Sequence, residues 1–229
     1  MVQTTPFSLI NIKNELLNRL RCKSSTFDPK TRVITKTSTQ TGDGSKTIFT
    51  LSNKLSCVFT VHVEGVKKKF GHDYTILWRG SNKGSVSFNS AVDNGDEVVV
   101  VYGEADKNFV YGDFPRTDLN HDSYPRIGFK TTTNPSRIGG GAPNTAVYNY
   151  EILIQIKVVD IDIYNIDYIV EQLQHFFNTD YKTFYYVPYV DPESISEYDD
   201  FNDNTEIVSS KVISFIIPFK YDIVGVTEA

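Results

Sequence analysis

Residues 145–177 read TAVYNYEILIQIKVVDIDIYNIDYIVEQLQHFF, and this stretch decides the fold. Its first half alternates. Val147, Tyr150, Ile152, Ile154, Ile156 and Val158 recur two apart or close to it, the period of a strand with one buried face. Glu151, Leu153, Gln155 and Lys157 fall between them and are mostly polar, which gives the strand a wetter face. The second half changes period. Ile166, Ile169, Val170, Leu173, Phe176 and Phe177 stand three or four apart, which predicts an amphipathic helix. Asn165 is the expected N-cap, and Asp167 and Glu171 sit where the helix dipole favours negative charge. A long strand feeding such a helix seeds a sheet covered by helices.

Upstream, residues 6–22 (PFSLINIKNELLNRLRC) predict a helix. Leu9, Ile12, Leu16 and Leu20 form its stripe with Leu17 beside it, and Thr5-Pro6 is a start signal. Residues 23–45 are rich in Ser, Thr, Lys and Gly and read as a linker or extended arm, or as an edge strand around Arg32 to Thr37. Between 46 and 104, KTIFTL, CVFTVHVEG, DYTILWR, GSVSFN and EVVVVYGE are short strand patterns separated by turn residues, the mark of a small antiparallel sandwich or barrel. Gly65, Gly71, Gly84 and Gly95 are expected at turns that need positive φ.

Residues 105–144 show little periodicity and contain Pro115, Pro125, Pro135 and Pro143. Their end, SRIGGGAPN (136–144), is expected as a flexible loop. Beyond the central stretch, FYYVPYV (184–190) predicts an edge strand interrupted by Pro188. Residues 191–204 (DPESISEYDDFNDN) predict an acidic loop, and 205–220 (TEIVSSKVISFIIPFK) a last long strand.

A chain of 229 residues suits one large domain or two small ones. With 23 basic and 28 acidic residues the net charge is -5, which argues against a general nucleic-acid binder. Cys22 and Cys57 are too few for a disulfide framework and are expected as reduced, buried thiols. No apolar run reaches the length of a bilayer span, and MVQTTPF lacks the order of a signal peptide. The expectation is a soluble chain with no membrane partner, made in the cytoplasm. An aromatic content of 13% suits β-structure and subunit interfaces.

Catalytic patterns are missing from the sequence. His62, His72, His121 and His175 are scattered, without metal-ligand spacing. GDGSKT (42–47) has no preceding strand and a strand instead of a helix after it, so its amides are not expected to cradle a phosphate. In DIDIYNIDYIVE (160–171), Asp160, Asp162 and Glu171 match calcium-loop positions, but Asn165 stands where Gly is required. The acidic run 191–203 reads better as a solvated face than as a cation site. No GxSxG elbow occurs. Neither an enzyme, a cofactor nor a metal is expected.

Two stretches carry a resemblance. The order V-x-V-x-G, G-x-D-Y-T, S-V-x-F and G-D-E-V-V-V-x-Y within 61–104 resembles small β-sandwich modules of phage neck, tail and baseplate components. Val61, Val63, Gly65, Asp73, Tyr74, Val86, Phe88, Gly95, Val98, Val100 and Tyr102 carry it. Such modules make contacts and do not catalyse. The frame around it is an N-terminal helix, YPRIGF (124–129), a glycine loop, a long strand, a helix and a return strand. It is similar to tail terminator, or tail completion, proteins of long-tailed bacterial or archaeal viruses. The implied fold is α+β: a mixed or antiparallel sheet flanked by helices, formed by residues 1–40 and 105–229, with an inserted all-β sandwich at 41–104.

The resemblance also implies a virion structural protein at the head–tail junction. It implies a homo-oligomeric ring, a hexamer, that caps the tail tube. The implied partners are the tail tube protein, the head–tail connector or neck proteins, and DNA passing through the lumen without specific binding. Tyr124, Arg126, Asp191, Glu193, Glu197, Asp199, Asp200 and Asp203 are the candidate interface or lumen residues. The alternatives are a head–tail connector, another tail- or baseplate-associated protein, or a carbohydrate- or receptor-binding module. The last would use Tyr74 and Trp78, which share a strand face, although core packing explains the pair more simply.

Overall fold

The computed structural model describes residues 9–51, 54–79, 83–106, 108–112, 125–142, 145–180, 191–201 and 207–224. The chain divides into two compact units, Met1–Gly112 and Asp113–Ala229. Its sheets are largely antiparallel and its helices few, a β-rich α+β class.

The first unit opens with α1 (Leu9–Cys22) and the short α2 (Ser24–Phe27). Ile12, Leu16 and Leu20 are fully buried, so the expected stripe is the face that leaves water. Eight strands follow: β1 (Ile34–Thr41), β2 (Ile48–Thr50), β3 (Leu55–Val63), β4 (Val66–Lys67), β5 (Tyr74–Arg79), β6 (Lys83–Phe88), β7 (Glu97–Glu104) and β8 (Val110–Tyr111). Seven of them make two sheets, ordered β1-β7-β3-β4 and β2-β6-β5. Alternate residues of both supply one core, including Phe49, Val61, Ile76, Val86, Phe88 and Val100. Phe49 meets Phe88 edge-on, ring centres 5.5 Å apart. All five strands expected between 46 and 104 are present. The arm before them supplies β1, a mostly exposed edge strand paired along its length with β7.

The turns show where glycine is needed. Glu64 (φ 50°) and Gly65 (φ 72°) are both left-handed and join β3 to β4, as a two-residue hairpin with matching twist requires. Gly84 departs from the expectation. It lies inside β6, and a Cβ there would collide with the Leu55 side chain of the other sheet. Close approach of two layers, not a turn, excludes a larger residue.

The division of the chain also differs from the expected grouping of 1–40 with 105–229. In the structure α1 packs on β3 of the first unit. Strand β3 loses register between Leu55 and Cys57 and again between Val58 and Thr60. Such irregularities leave backbone groups that need other partners. Asn18 of α1 meets this need at Val58: its Nδ2 donates to the Val58 carbonyl at 2.9 Å, and the Val58 N–H donates to its Oδ1 at 2.7 Å. Asn108 acts similarly beside the first irregularity, accepting from Ser56 Oγ at 2.8 Å and donating to the Leu55 carbonyl at 3.4 Å.

The second unit contains β9 (Arg126–Ala142), β10 (Thr145–Asp160), α3 (Ile163–Asp180), β11 (Asp191–Phe201) and β12 (Ile207–Val224). Its strands lie in the order β11-β12-β10-β9, each pair antiparallel. Ile154, Ile156 and Val158 are buried, while Leu153, Gln155 and Lys157 are half-buried, the expected alternation. Phe129 and Ile213 flank Ile156, and Ile127 flanks Val158. Helix α3 packs on β10 and β12 and adds Ile166, Ile169, Leu173 and Phe177 to the buried set.

Three expectations are corrected here. The glycine segment expected as a loop from 136 is, through Ala142, the end of β9, with Gly139 registered against Val147 and Pro135 against Tyr150. The acidic segment expected as a loop is, through Phe201, strand β11, registered against β12. In both places a partner strand supplies the order that local composition opposes. The third concerns the cap of α3. Asp162, not Asn165, fills it: its Oδ1 accepts from the Tyr164 N–H at 3.0 Å. Asn165 instead donates from Nδ2 to Asp160 Oδ2 at 2.5 Å. The edge strand expected at 184–190 lies outside the described residues.

Candidate functional site

The sequence candidates fall in different places. Tyr124 and Asp203 lie outside the described residues. Arg126 opens β9 opposite Val159 and is buried, 2% exposed, so it belongs to the interior of the chain. Asp191, Glu193, Glu197, Asp199 and Asp200 are brought together on β11. Glu197 is registered with Lys211, Asp199 with Ser209 and Asp200 with Val208, and Glu193 falls in an irregularity of the pairing. Lys211 in turn forms an ion pair with Asp167 of α3 at 2.5 Å.

The motifs weighed from sequence have structural duties. Asp43 Oδ1 accepts from the Ser45 N–H (2.8 Å), the Ser45 hydroxyl (2.9 Å) and the Lys46 N–H (2.6 Å). These bonds hold its carboxyl below the usual range. They also engage the amides that a phosphate would need. Asp160 accepts from the Asp162 N–H at 3.2 Å as well as from Asn165. The two aspartates of the calcium-like sequence thus build the start of α3. Among the described residues no group of three or more His, Cys, Asp or Glu is arranged for a metal ion, and no helix is long and apolar enough to cross a membrane. Tyr74 is part of the sandwich core, which removes it from any surface for sugar stacking.

Cys22 and Cys57 are free thiols. Cys22 donates weakly to the Val58 carbonyl at 3.7 Å. A hydrogen bond with Cys57, and then burial, push the Cys22 thiol up.

Two features escaped the sequence reading. One is Arg21 in the last turn of α1. Its Nε and Nη2 donate to the Val110 carbonyl at 3.1 and 3.0 Å, and its guanidinium lies 4.7 Å over the Trp78 ring. Burial lowers it to about 10, against smaller opposing effects of Tyr111 and Cys57; it stays charged at neutral pH. The helix C-terminus and the indole face both favour that charge. The other is the junction of β10 and α3. Ile161 (55% exposed), Ile163 (48%), Tyr164 (81%) and Tyr168 (39%) all present apolar surface there. Tyr164 and Tyr168 are one turn apart, a spacing visible in the sequence but outside the helix's core stripe.

The first unit also has an open groove of about 510 Å³ at the loops following β4 and β6, lined by Lys68, His72, Asp73, Asn89, Asp93 and Asp96 among others. His72 Nδ1 lies 2.7 Å from Asp73 Oδ1, and Asp73 Oδ2 accepts from the Lys69 N–H at 2.7 Å. Partial burial acts to raise Asp73, but these bonds and the neighbouring charges leave it lowered. The pair closes a loop.

No known protein family, no curated protein and no solved structure matches this chain.

Proposed function

We propose that this chain is a virion structural protein that assembles into a ring, a hexamer, at the head–tail junction, where it ends the tail tube and joins it to the connector. One observation carries most of the weight: the sheet of the second unit is much longer than its helix. Strands β10 and β12 have 16 and 18 residues, whereas strands usually have about five or six. At about 3.3 Å per residue β10 extends roughly 50 Å. The 18 residues of α3 extend only about 27 Å.

The helix is therefore able to cover about half of the sheet's length. In the register away from it, Tyr148 pairs with Tyr221, Tyr150 with Phe219 and Ile152 with Ile217. The residue types in this register, aromatic and branched, are those that subunit interfaces favour. A closed ring satisfies every copy in the same way. The partners are then the tail tube protein and the connector or neck proteins. The acids of β11 line the lumen, where negative charge lets DNA pass without sticking.

Electron microscopy of the purified chain, alone and with tail tubes, tests this reading. Closed rings that cap tube ends support it. A chain that stays monomeric and leaves tube ends uncapped overturns it.

A further inference from the structure

We infer that the exposed junction of β10 and α3 is a docking surface for a second copy of this chain, and that it receives the lysine-bearing turn after β3 of that copy. The inference rests on the ring reading and names a contact within it.

Single exposed apolar residues are ordinary. Here Ile161, Ile163, Tyr164 and Tyr168 are all exposed within one short segment, and clustered apolar exposure marks interaction surfaces. Its position is well defined. Asp162 caps α3 and so holds the first turn in place. Tyrosine adds large contact area at low entropic cost, which makes it a frequent energetic anchor.

Charge selects the occupant. Asp162 and Glu171 are exposed beside the patch, while Asp167 already has Lys211 as its partner. The border of the patch is therefore net negative. The first unit carries the complement. Val66 is 60% exposed, and Lys67, Lys68 and Lys69 follow it directly, with Lys67 and Lys69 exposed. The hairpin that holds them is fixed by the left-handed Glu64 and Gly65. An exposed valine followed by three lysines, net positive even with the exposed Glu64 of the turn counted, fits an apolar patch bordered by carboxylates, and lysine also binds favourably over a tyrosine ring. The two surfaces differ, so the contact runs head to tail, and each copy offers one of each. Such contacts close into rings or run on as filaments.

The test uses the full chain, with mass followed by light scattering over a range of concentrations. Glu171→Lys makes the junction repel the lysine turn, and the double change Lys67→Glu with Lys69→Glu makes the turn repel the junction. All three positions are exposed, and circular dichroism checks that each variant folds. Each variant alone is expected to associate at least about tenfold more weakly than the native chain. Mixing the two variants restores both contacts and therefore the native mass. Tyr164→Ala, which changes no charge, weakens association by about thirtyfold. Variants that assemble like the native chain overturn the contact and leave the ring reading standing. Folded variants whose mixture stays dissociated also overturn it. Assembly by this contact into open filaments sustains the contact and counts against the ring. A native chain that is monomeric at every concentration overturns the contact, while the capping of tube ends judges the ring reading separately.

Discussion

The two units solve the same problem in opposite ways. In the first, two sheets of short strands face each other and enclose their core, and a helix is fastened to the outside by side-chain bonds to an irregular strand. In the second, a sheet of very long strands carries, among the described residues, one helix that is too short to span its length. The first unit buries its main core between its own two sheets. The second has strands that run well beyond the length of its helix. Such a length mismatch between layers is a property that composition alone does not provide.

The sharpest way to break this comparison is to damage each core separately. Phe49→Ala removes a fully buried ring from the sandwich and is expected to cost about 3–5 kcal/mol. Leu173→Ala removes a fully buried aliphatic side chain beneath α3 at about 3–4 kcal/mol. If the units are independent, calorimetry shows each change lowering a different transition; one common shift would count against the division.

Next in size is Asn18→Ala. It leaves the N–H and carbonyl of Val58 without their side-chain partner, at an expected cost of about 2–3 kcal/mol. Denaturant unfolding measures it, and a loss under about 0.5 kcal/mol would mean that water replaces the amide. Asp162→Ala, in the second unit, removes the α3 cap and should cost about 1 kcal/mol. Asp162→Asn should recover most of that, since Asn caps equally well.

The smallest effect is on acid stability. The folded-state pKa of Asp73 is lowered below its unfolded value. Its contribution is therefore present above the unfolded carboxylate pKa and is lost as pH falls through the lowered folded value. Asp73→Asn should flatten the acid side of the stability profile of the first unit only slightly, because solvent screens so exposed a pair. An unchanged slope would show that neither the Lys69 N–H nor His72 holds the Asp73 carboxylate in solution.

Much of the architecture was legible in the sequence. The five sandwich strands follow from alternation punctuated by turn residues, and α3 and β10 from a change of period at one junction. Other parts were not. Thr131 to Ala142 alternate poorly and contain Pro135 and three glycines, so β9 was invisible until β10 supplied its register. Asp191 to Phe201 read as solvated loop because a charge run looks the same whether or not its backbone is paired. The candidate site suffered most. Arg126 looked like a surface cation and is buried, whereas Tyr164 looked like an ordinary helix residue and is the most exposed of the large hydrophobic side chains described.

By itself, the sequence determined which segments could be helix or strand and which of their faces is apolar, because those properties repeat over a few residues. It also showed that no familiar catalytic spacing is present. Only the tertiary structure decided which sheet receives α1, that two unpromising segments are strands, and that the long sheet outruns its helix. Those outcomes depend on partners distant in the chain. The bond from Asn18 to Val58 spans 40 residues, and no local period can encode which backbone group a side chain will find.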